Sequence, residues 1–171
     1  MKKRVALPLL LLVLLGVSAS HLGIKSADNS HLLVLDGREI DVLGKFKNHW
    51  VAATTSCQAV AQLQATDPPY AEVLQLIQSY SPPSSQSARI ASLWTMGGWT
   101  LAEVEFKDLV PSVVVLQTLN GKPQILPRAI WSGYTRPWVA APFIRHYLAS
   151  RAPDMPVTLL NCFKPQSRSF H

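Results

Sequence analysis

Three two-residue turn signals constrain the fold of this 171-residue chain more than any other feature. They are Asp36-Gly37, Gly97-Gly98 and Asn120-Gly121, and each one separates two stretches rich in apolar residues. A tight hairpin needs positive φ at its central residues, which glycine, asparagine and aspartate tolerate. The sequence therefore predicts three β-hairpins and an antiparallel sheet built from neighbouring strands.

The second and third turns also predict strand register, because a two-residue loop determines which residues face each other across a hairpin. The predicted facing pairs are Met96 with Trp99, Trp94 with Leu101, Leu119 with Lys122, and Gln117 with Gln124. Residues 113–116 are all apolar, which predicts a central strand covered on both faces. Pro123 and Pro127 lack an N–H, so residues 122–131 are predicted to form an edge strand or one that is irregular at its ends.

The strand predicted after Gly98 alternates in character. Ala102, Val104 and Phe106 are apolar, whereas Glu103 and Glu105 between them are acidic. Successive side chains of a strand point to opposite faces. We therefore expect one buried face and one solvated face, with both glutamates in water.

Three helices and a last strand complete the predicted elements. Residues 54–56 offer N-caps for a helix over Cys57–Gln64, and Asp67 followed by two prolines begins a second helix. The second helix carries an apolar stripe made of Val73, Leu76, Ile77 and Tyr80. A third helix is predicted over Pro142–Arg151, and a final strand over Val157–Phe163.

This order of elements predicts an α+β fold. We expect an antiparallel sheet, flat or strongly curved, of about six to seven strands with two to three helices on one face. The predicted organisation is a signal peptide at residues 1–20, a flexible leader at 21–30, a single domain at 31–165 and a C-terminal tail at 166–171.

The N-terminus is typical of an exported protein. Lys2, Lys3 and Arg4 precede an apolar run at residues 5–17, and the small residues 18–20 follow. This is the layout of a secretory signal peptide, and the run is shorter than the ~20 residues of a membrane-spanning helix. We expect a periplasmic or secreted protein that meets the membrane only if the signal stays attached. An uncleaved signal anchor and a buried helix are the alternatives.

Charge is distributed unevenly along the chain. The formal net charge is +6, and three of the 16 basic residues belong to the predicted signal. Residues 122–171 contain seven basic residues against Asp154 alone. Such a segment favours a surface that attracts anions, although neighbouring acidic segments offer a simple way to neutralise it.

The two cysteines, Cys57 and Cys162, allow two interpretations. An even pair in an oxidising compartment predicts a disulfide. Alternatively, Cys57 at a helix N-terminus is a thiolate nucleophile, with His146 as its base and Asp154 or Asn161 orienting the imidazole. That arrangement would make the protein a thiol hydrolase.

The usual signatures of enzymes and cofactor sites are absent from the sequence. There is no H-E-x-x-H, no G-x-S-x-G and no glycine-rich phosphate loop. The five histidines are scattered, and the two cysteines lack further ligands at metal-binding spacing. We therefore predict no metal, no cofactor, no nucleotide and no catalytic residue other than the alternative pair Cys57 and His146.

The segment 128–151 is the best candidate for a binding site because it interleaves arginines with aromatic residues. Arginine and aromatic residues together dominate protein interfaces and also form platforms for anionic polymers. The predicted binding residues are Arg128, Trp131, Tyr134, Arg136, Trp138 and Arg145. The alternative is that these aromatic residues belong to the core and the arginines surround it in solvent.

These features lead to a functional hypothesis of a small exported, non-enzymatic protein that binds another protein. The partner is expected in a cell-envelope assembly, such as a secretion, pilus or conjugation machine, or is an effector that this protein neutralises. The alternatives are the thiol hydrolase and a binder of an anionic envelope polymer. Nucleic acid is not expected as a partner, because an exported protein meets little of it.

Overall fold

A computed structural model describes residues 21–27, 30–167 and 170 of the chain. The predicted signal peptide at residues 1–20 lies outside the described residues. Within them the fold is α+β, with two antiparallel sheets. No helix in these ranges is long and apolar enough to cross a membrane.

The described part of the chain contains eight strands and four α-helices. The strands are β1 (Leu22–Ala27), β2 (Ser30–Leu35), β3 (Arg38–Ile40), β4 (Ala61–Gln62), β5 (Arg89–Met96), β6 (Trp99–Glu105), β7 (Ser112–Leu119) and β8 (Lys122–Ser132). The helices are α1 (Val42–Thr54), α2 (Pro68–Gln78), α3 (Ala140–Arg151) and α4 (Val157–Cys162). One sheet has the order β1-β2-β3 and the other the order β4-β5-β6-β7-β8. The segment expected to form a flexible leader contains β1.

All three predicted hairpins are present. Asp36 and Asn120 have φ values of 48° and 53°, and the glycines that follow them also have positive φ. The register about the second and third turns is the predicted one. The observed pairs are Met96 with Trp99, Trp94 with Leu101, Leu119 with Lys122, and Gln117 with Gln124.

The predictions for β7 and β8 are also confirmed. Val113 and Val115 enter the core on one face of the larger sheet, and Val114 and Leu116 enter the core on the other. β8 is an edge strand. Its pairing with β7 shifts register between Val114 and Leu116, opposite the stretch of β8 that contains Pro127. A proline cannot donate to the ladder, which explains an irregularity at this place.

The helices cover both faces of the larger sheet, so the prediction of one covered face is wrong. Val73 and Ile77 of α2 pack on one face, whereas Ile144 of α3 and Leu159 of α4 pack on the other. Strands β6 and β7 are buried along both faces. A single layer of helices would leave one of those apolar faces in water.

Two segments were assigned the wrong element from the sequence. Residues 54–56 end helix α1 instead of capping a helix over Cys57–Gln64, because Cys57 is held in a loop and the short strand β4 pairs with β5. Residues 157–162 form α4 and not a strand. Leu159 and Leu160 are buried against α3, and this tertiary packing overrides a local preference for extended structure.

The disulfide between Cys57 and Cys162 is present, with an S–S distance of 2.02 Å. It joins the loop after α1 to the last residue of α4, across 105 positions of sequence. A cross-link that closes so long a loop stabilises the fold mainly by restricting the unfolded chain. The bond also holds α1 near the C-terminal helices.

Glu103 is 0% exposed, so the expectation that it lies on a solvated face is wrong. Its carboxylate accepts a hydrogen bond from Ser92 Oγ at 2.7 Å and one from the backbone N–H of Ser167 at 2.6 Å. The N–H of Gln166 donates to both carboxylate oxygens, at 3.0 and 2.9 Å. Backbone donors from the end of the chain thus cover a face that the strand pattern alone assigns to water. Residues 166–167 form a strap across β6.

We expect the Glu103→Gln variant to loosen the strap, because the new amide NH2 group faces backbone donors that need an acceptor. The free energy of unfolding should fall by about 1.5–3 kcal/mol, the range of a hydrogen bond to a charged group. Amide hydrogen exchange at Gln166 and Ser167 should accelerate with it. The control is Glu72→Gln on the exposed side of α2. Unchanged exchange at the strap would contradict the role given to Glu103.

Candidate functional site

A cleft of about 910 Å³ lies between α1, α3 and the end of β8. Its size is within the range of sites that hold small molecules or short peptide segments. One wall comes from α1 through Leu43, Lys47 and Val51, and the opposite wall from α3 through Arg145 and Tyr147. The cleft therefore has apolar sides with cationic groups among them.

Asp41 determines where the two walls meet. Its Oδ1 atom accepts the N–H of Gly44 at 2.7 Å and so caps α1, while Oδ2 accepts the N–H of Val139 at 3.0 Å, immediately before α3. The side chain is buried. One carboxylate thus serves the N-terminal ends of both helices, where partial positive charge favours an anion. Gly44 permits this arrangement because a Cβ there would lie 2.0 Å from Oδ2.

Arg145 joins the walls deeper in the cleft. Its Nη1 atom donates to Asn48 Oδ1 on α1 at 3.3 Å, and Nη2 donates to the carbonyl oxygen of Phe163 at 2.6 Å. Nε has no hydrogen-bond partner among the described residues. Burial lowers the pKa of the guanidinium to about 10, because desolvation disfavours the charged form. The group still carries its positive charge at neutral pH.

The charge of Arg145 is not neutralised by a carboxylate in the described part of the chain. The two ion pairs found there, His21 with Asp36 and Lys25 with Glu39, both lie in the small sheet. Asp41 also lines the cleft, but its oxygens accept N–H groups of the two helix ends and no ion pair within the described residues joins it to Arg145. A buried charge without a counter-ion is unfavourable by several kcal/mol in proteins, roughly 3–5 kcal/mol where a partner has been removed.

Aromatic residues form the end of the cleft nearest β8. Trp138 stacks on Phe143 with ring centroids 5.4 Å apart, and Trp131 packs edge-on against Phe143 and Phe170. The indole Nε1 of Trp138 is buried and has no acceptor among the described residues. An unpaired donor of this kind is unfavourable by about 1–3 kcal/mol. Two residues of the lining, Trp138 and Arg145, thus each have a buried donor that the described residues leave unsatisfied.

Helix α1 carries an exposed apolar stripe, which we define as Leu43, Phe46 and Trp50. Their exposed fractions are 47%, 66% and 62%. The residues are spaced i, i+3 and i+7, so they lie along one side of the helix. Phe46 and Trp50 contact each other with ring centroids 6.5 Å apart. Since Leu43 also lines the cleft, the stripe and the cleft form one continuous surface.

The structure separates the six predicted binding residues into two groups. Trp131, Trp138 and Arg145 line the cleft. Arg128, Tyr134 and Arg136 are exposed and do not line it. Trp131 belongs to the core as well, as the alternative interpretation of this segment had it.

The contribution of α1 was missed from the sequence. The i, i+3, i+7 spacing of Leu43, Phe46 and Trp50 is a helical signal that could have revealed it. The helix is inconspicuous because only Gly44 among its 13 residues is fully buried.

The alternative pair Cys57 and His146 does not gain support. The sulfur atom of Cys57 is bonded to that of Cys162, so Cys57 has no free thiolate. His146 is exposed at the cleft. No group of three or more histidine, cysteine, aspartate or glutamate side chains that could hold a metal ion occurs within the described ranges.

Comparisons of the chain with protein-family models, with curated proteins and with solved structures find no match. The cleft and the α1 stripe are therefore the features from which a function can be argued. The cleft is concave and lined by basic and apolar groups, and the α1 stripe is convex and apolar.

We expect Gly44→Ala to destabilise the protein, although alanine normally improves a helix by about 1 kcal/mol over glycine. The new Cβ displaces the Asp41 carboxylate and breaks its hydrogen bonds with the N–H groups of Gly44 and Val139. Asp41→Ala should lower the free energy of unfolding by about 2–4 kcal/mol, from one lost cap and one unpaired N–H. Urea unfolding of both single variants measures these effects.

The double variant Asp41→Ala/Gly44→Ala is the control. If Gly44→Ala acts through Asp41, the double variant is no less stable than Asp41→Ala alone. Additive losses would mean that Gly44 has a separate role.

Proposed function

We propose that this chain is a small exported, non-enzymatic protein that binds another protein through the α1 stripe and the adjoining cleft. The observation that carries the proposal is the stripe itself. Phe46 and Trp50 are large, mostly exposed and in contact with each other. The helix that carries them contributes little to the core, since Gly44 is its one fully buried residue. Contiguous apolar surface of this kind is typical of a site that a partner covers.

The chemistry of α1 favours a protein as the partner. Tryptophan and phenylalanine each bury about 150–250 Å² on association, and tryptophan is among the residues that contribute most to interfaces. Lys45 and Lys47 lie beside the stripe, and α1 contains no acidic residue. The complementary surface is therefore apolar with acidic residues around it.

Export is the second part of the proposal. The disulfide supports it, because such bonds persist in the periplasm and outside the cell but are rare in the cytosol. The signal-like N-terminus supports it independently. An exported binding protein of this size fits an accessory role in a cell-envelope assembly, such as a secretion, pilus or conjugation machine, or the neutralisation of an effector.

A binder of an anionic envelope polymer is a second candidate. Arg145 and Lys47, both in the cleft, favour it. The apolar stripe beside the cleft does not, since a hydrophilic polymer would leave Phe46 and Trp50 in water. Nothing in the described structure favours the thiol hydrolase.

We expect the protein isolated from fractionated cells to come from the envelope or the medium and to lack residues 1–19 or 1–20. Intact mass before and after reduction measures this directly. The unreduced species should be lighter by the two hydrogens that the disulfide removes. A full-length cytoplasmic species with two free thiols would contradict the proposed export.

We expect a photo-reactive amino acid in place of Phe46 to cross-link one discrete protein in the producing cells. The same amino acid in place of Val157 is the matched control, since Val157 is 67% exposed on α4 and outside the stripe and cleft. Adding Trp50→Ser should remove the product, because loss of a central aromatic weakens binding by about 2 kcal/mol or more, roughly thirtyfold. Adding Val157→Ser should leave it unchanged.

The identity of the cross-linked product decides between occupants. A segment of another protein that combines apolar and acidic residues supports the proposal. A product of twice the chain mass, an adduct with lipid or an adduct with residues 1–20 of the same chain would each overturn it.

A further inference from the structure

We propose that the cleft is a carboxylate site, in which Arg145 and Trp138 bind an acidic group of a peptide segment. The inference rests on the proposed function, because the segment belongs to the protein partner that covers the α1 stripe. It adds the chemical group that is recognised and the atoms that recognise it.

The first argument is the uncompensated charge of Arg145. The side chain is 8% exposed, lines the cleft and has no carboxylate within ion-pair distance among the described residues. Its hydrogen-bond partners, Asn48 Oδ1 and the Phe163 carbonyl oxygen, are both neutral. Neutral acceptors hold the guanidinium in position but leave its charge for a ligand to neutralise.

The second argument is the number of unused donors. A guanidinium has five N–H groups, and the described residues accept from two of them. Trp138, which also lines the cleft, has a buried Nε1–H without an acceptor among the described residues. A carboxylate is an acceptor-only group with two oxygens, so it satisfies donors of this kind without bringing a proton of its own.

The third argument is the electrostatic balance of the cleft. Lys47 from α1 and His146 from α3 add further basic groups to the lining. Asp41 is the acidic residue of the lining, and it offsets one of the two cations Arg145 and Lys47, so that one formal positive charge remains. The field inside the cleft therefore favours an anion.

The apolar lining points to a peptide as the source of that anion. Leu43, Val51 and Phe143 line the cleft, and the α1 stripe continues from Leu43 to Trp50. A peptide places apolar side chains beside a carboxylate at the spacing of neighbouring residues. Inorganic anions and hydrophilic polymers supply the negative charge but no apolar side chains to cover the apolar lining.

The test is a titration of the oxidised, 15N-labelled protein as isolated from cells, followed by NMR. The chain has five tryptophans, so each indole N–H gives its own signal and reports its own surroundings. The probes are a capped peptide of leucine, phenylalanine and one glutamate, and the same peptide with glutamine. A third peptide has glutamine and a free C-terminal carboxylate, and inorganic phosphate is a fourth probe.

We expect the glutamate peptide at millimolar concentration to shift the Trp138 indole signal and the Arg145 Nε–H signal together with that of Trp50. The glutamine peptide should bind at least about tenfold more weakly, because it lacks the charge-assisted hydrogen bonds. If the glutamine peptide with a free C-terminus binds as well as the glutamate peptide, a terminal carboxylate is the group that the cleft binds. If it binds as weakly as the capped glutamine peptide, the group is an acidic side chain.

Variants test the assignment of atoms. Trp138→Phe keeps the ring stack and removes the Nε1–H, and Arg145→Lys keeps the charge and removes the planar fork. Each should weaken the glutamate peptide and leave the glutamine peptide unchanged. The control is Lys122→Gln, an exposed lysine at the β7–β8 turn that should change neither peptide. Because Trp138→Phe retains its packing, it remains informative if Arg145→Lys does not fold.

The experiment can contradict the carboxylate site and the protein-binding surface independently of each other. Equal affinity for the glutamate and glutamine peptides, with Trp50 shifted and Arg145 unmoved, would overturn the carboxylate site and leave the α1 surface standing. Shifts caused by phosphate but by no peptide would overturn the peptide as its source. No shift at Trp50, Trp138 or Arg145 with any peptide would overturn both proposals.

Discussion

The placement of α1 depends on the carboxylate of Asp41, and the candidate site depends on α1. This side chain accepts one N–H at the start of α1 and another just before α3, although 98 positions separate Asp41 from Val139. Arg145 joins the same two helices again through Asn48, and the disulfide holds the loop after α1 against α4. Polar and covalent links thus position a helix that contributes little to either core, which leaves its apolar side chains available to a partner.

Turn chemistry explains most of what was predictable from the sequence. Asn120-Gly121 and Gly97-Gly98 act through backbone sterics alone, so the hairpins and their register follow from a few residues. The disulfide was predictable for a similar reason, since two cysteines allow a single pairing. The segment containing Trp138 and Arg145 was identified from composition, and these two residues do line the cleft.

The remaining features depend on contacts between distant parts of the chain. Glu103 looks solvated in its strand pattern, and only the backbone of Gln166 and Ser167 makes its burial possible. The α4 segment is apolar enough for a strand, and its packing on α3 decides in favour of a helix. The cleft is formed by helices that are far apart in sequence, so no local pattern could have revealed it.

The C-terminal segment that contains the strap determines when folding can be completed. Cys57, Glu103, Thr135 and Arg145 all find partners between residues 162 and 170. As the chain is synthesised, each of these groups emerges before the residues that satisfy it. The core that faces α3 and α4 therefore cannot be completed until the last segment is available. Until then the chain stays incompletely folded. Under the proposed export, late closure of the core would keep folding from competing with transport.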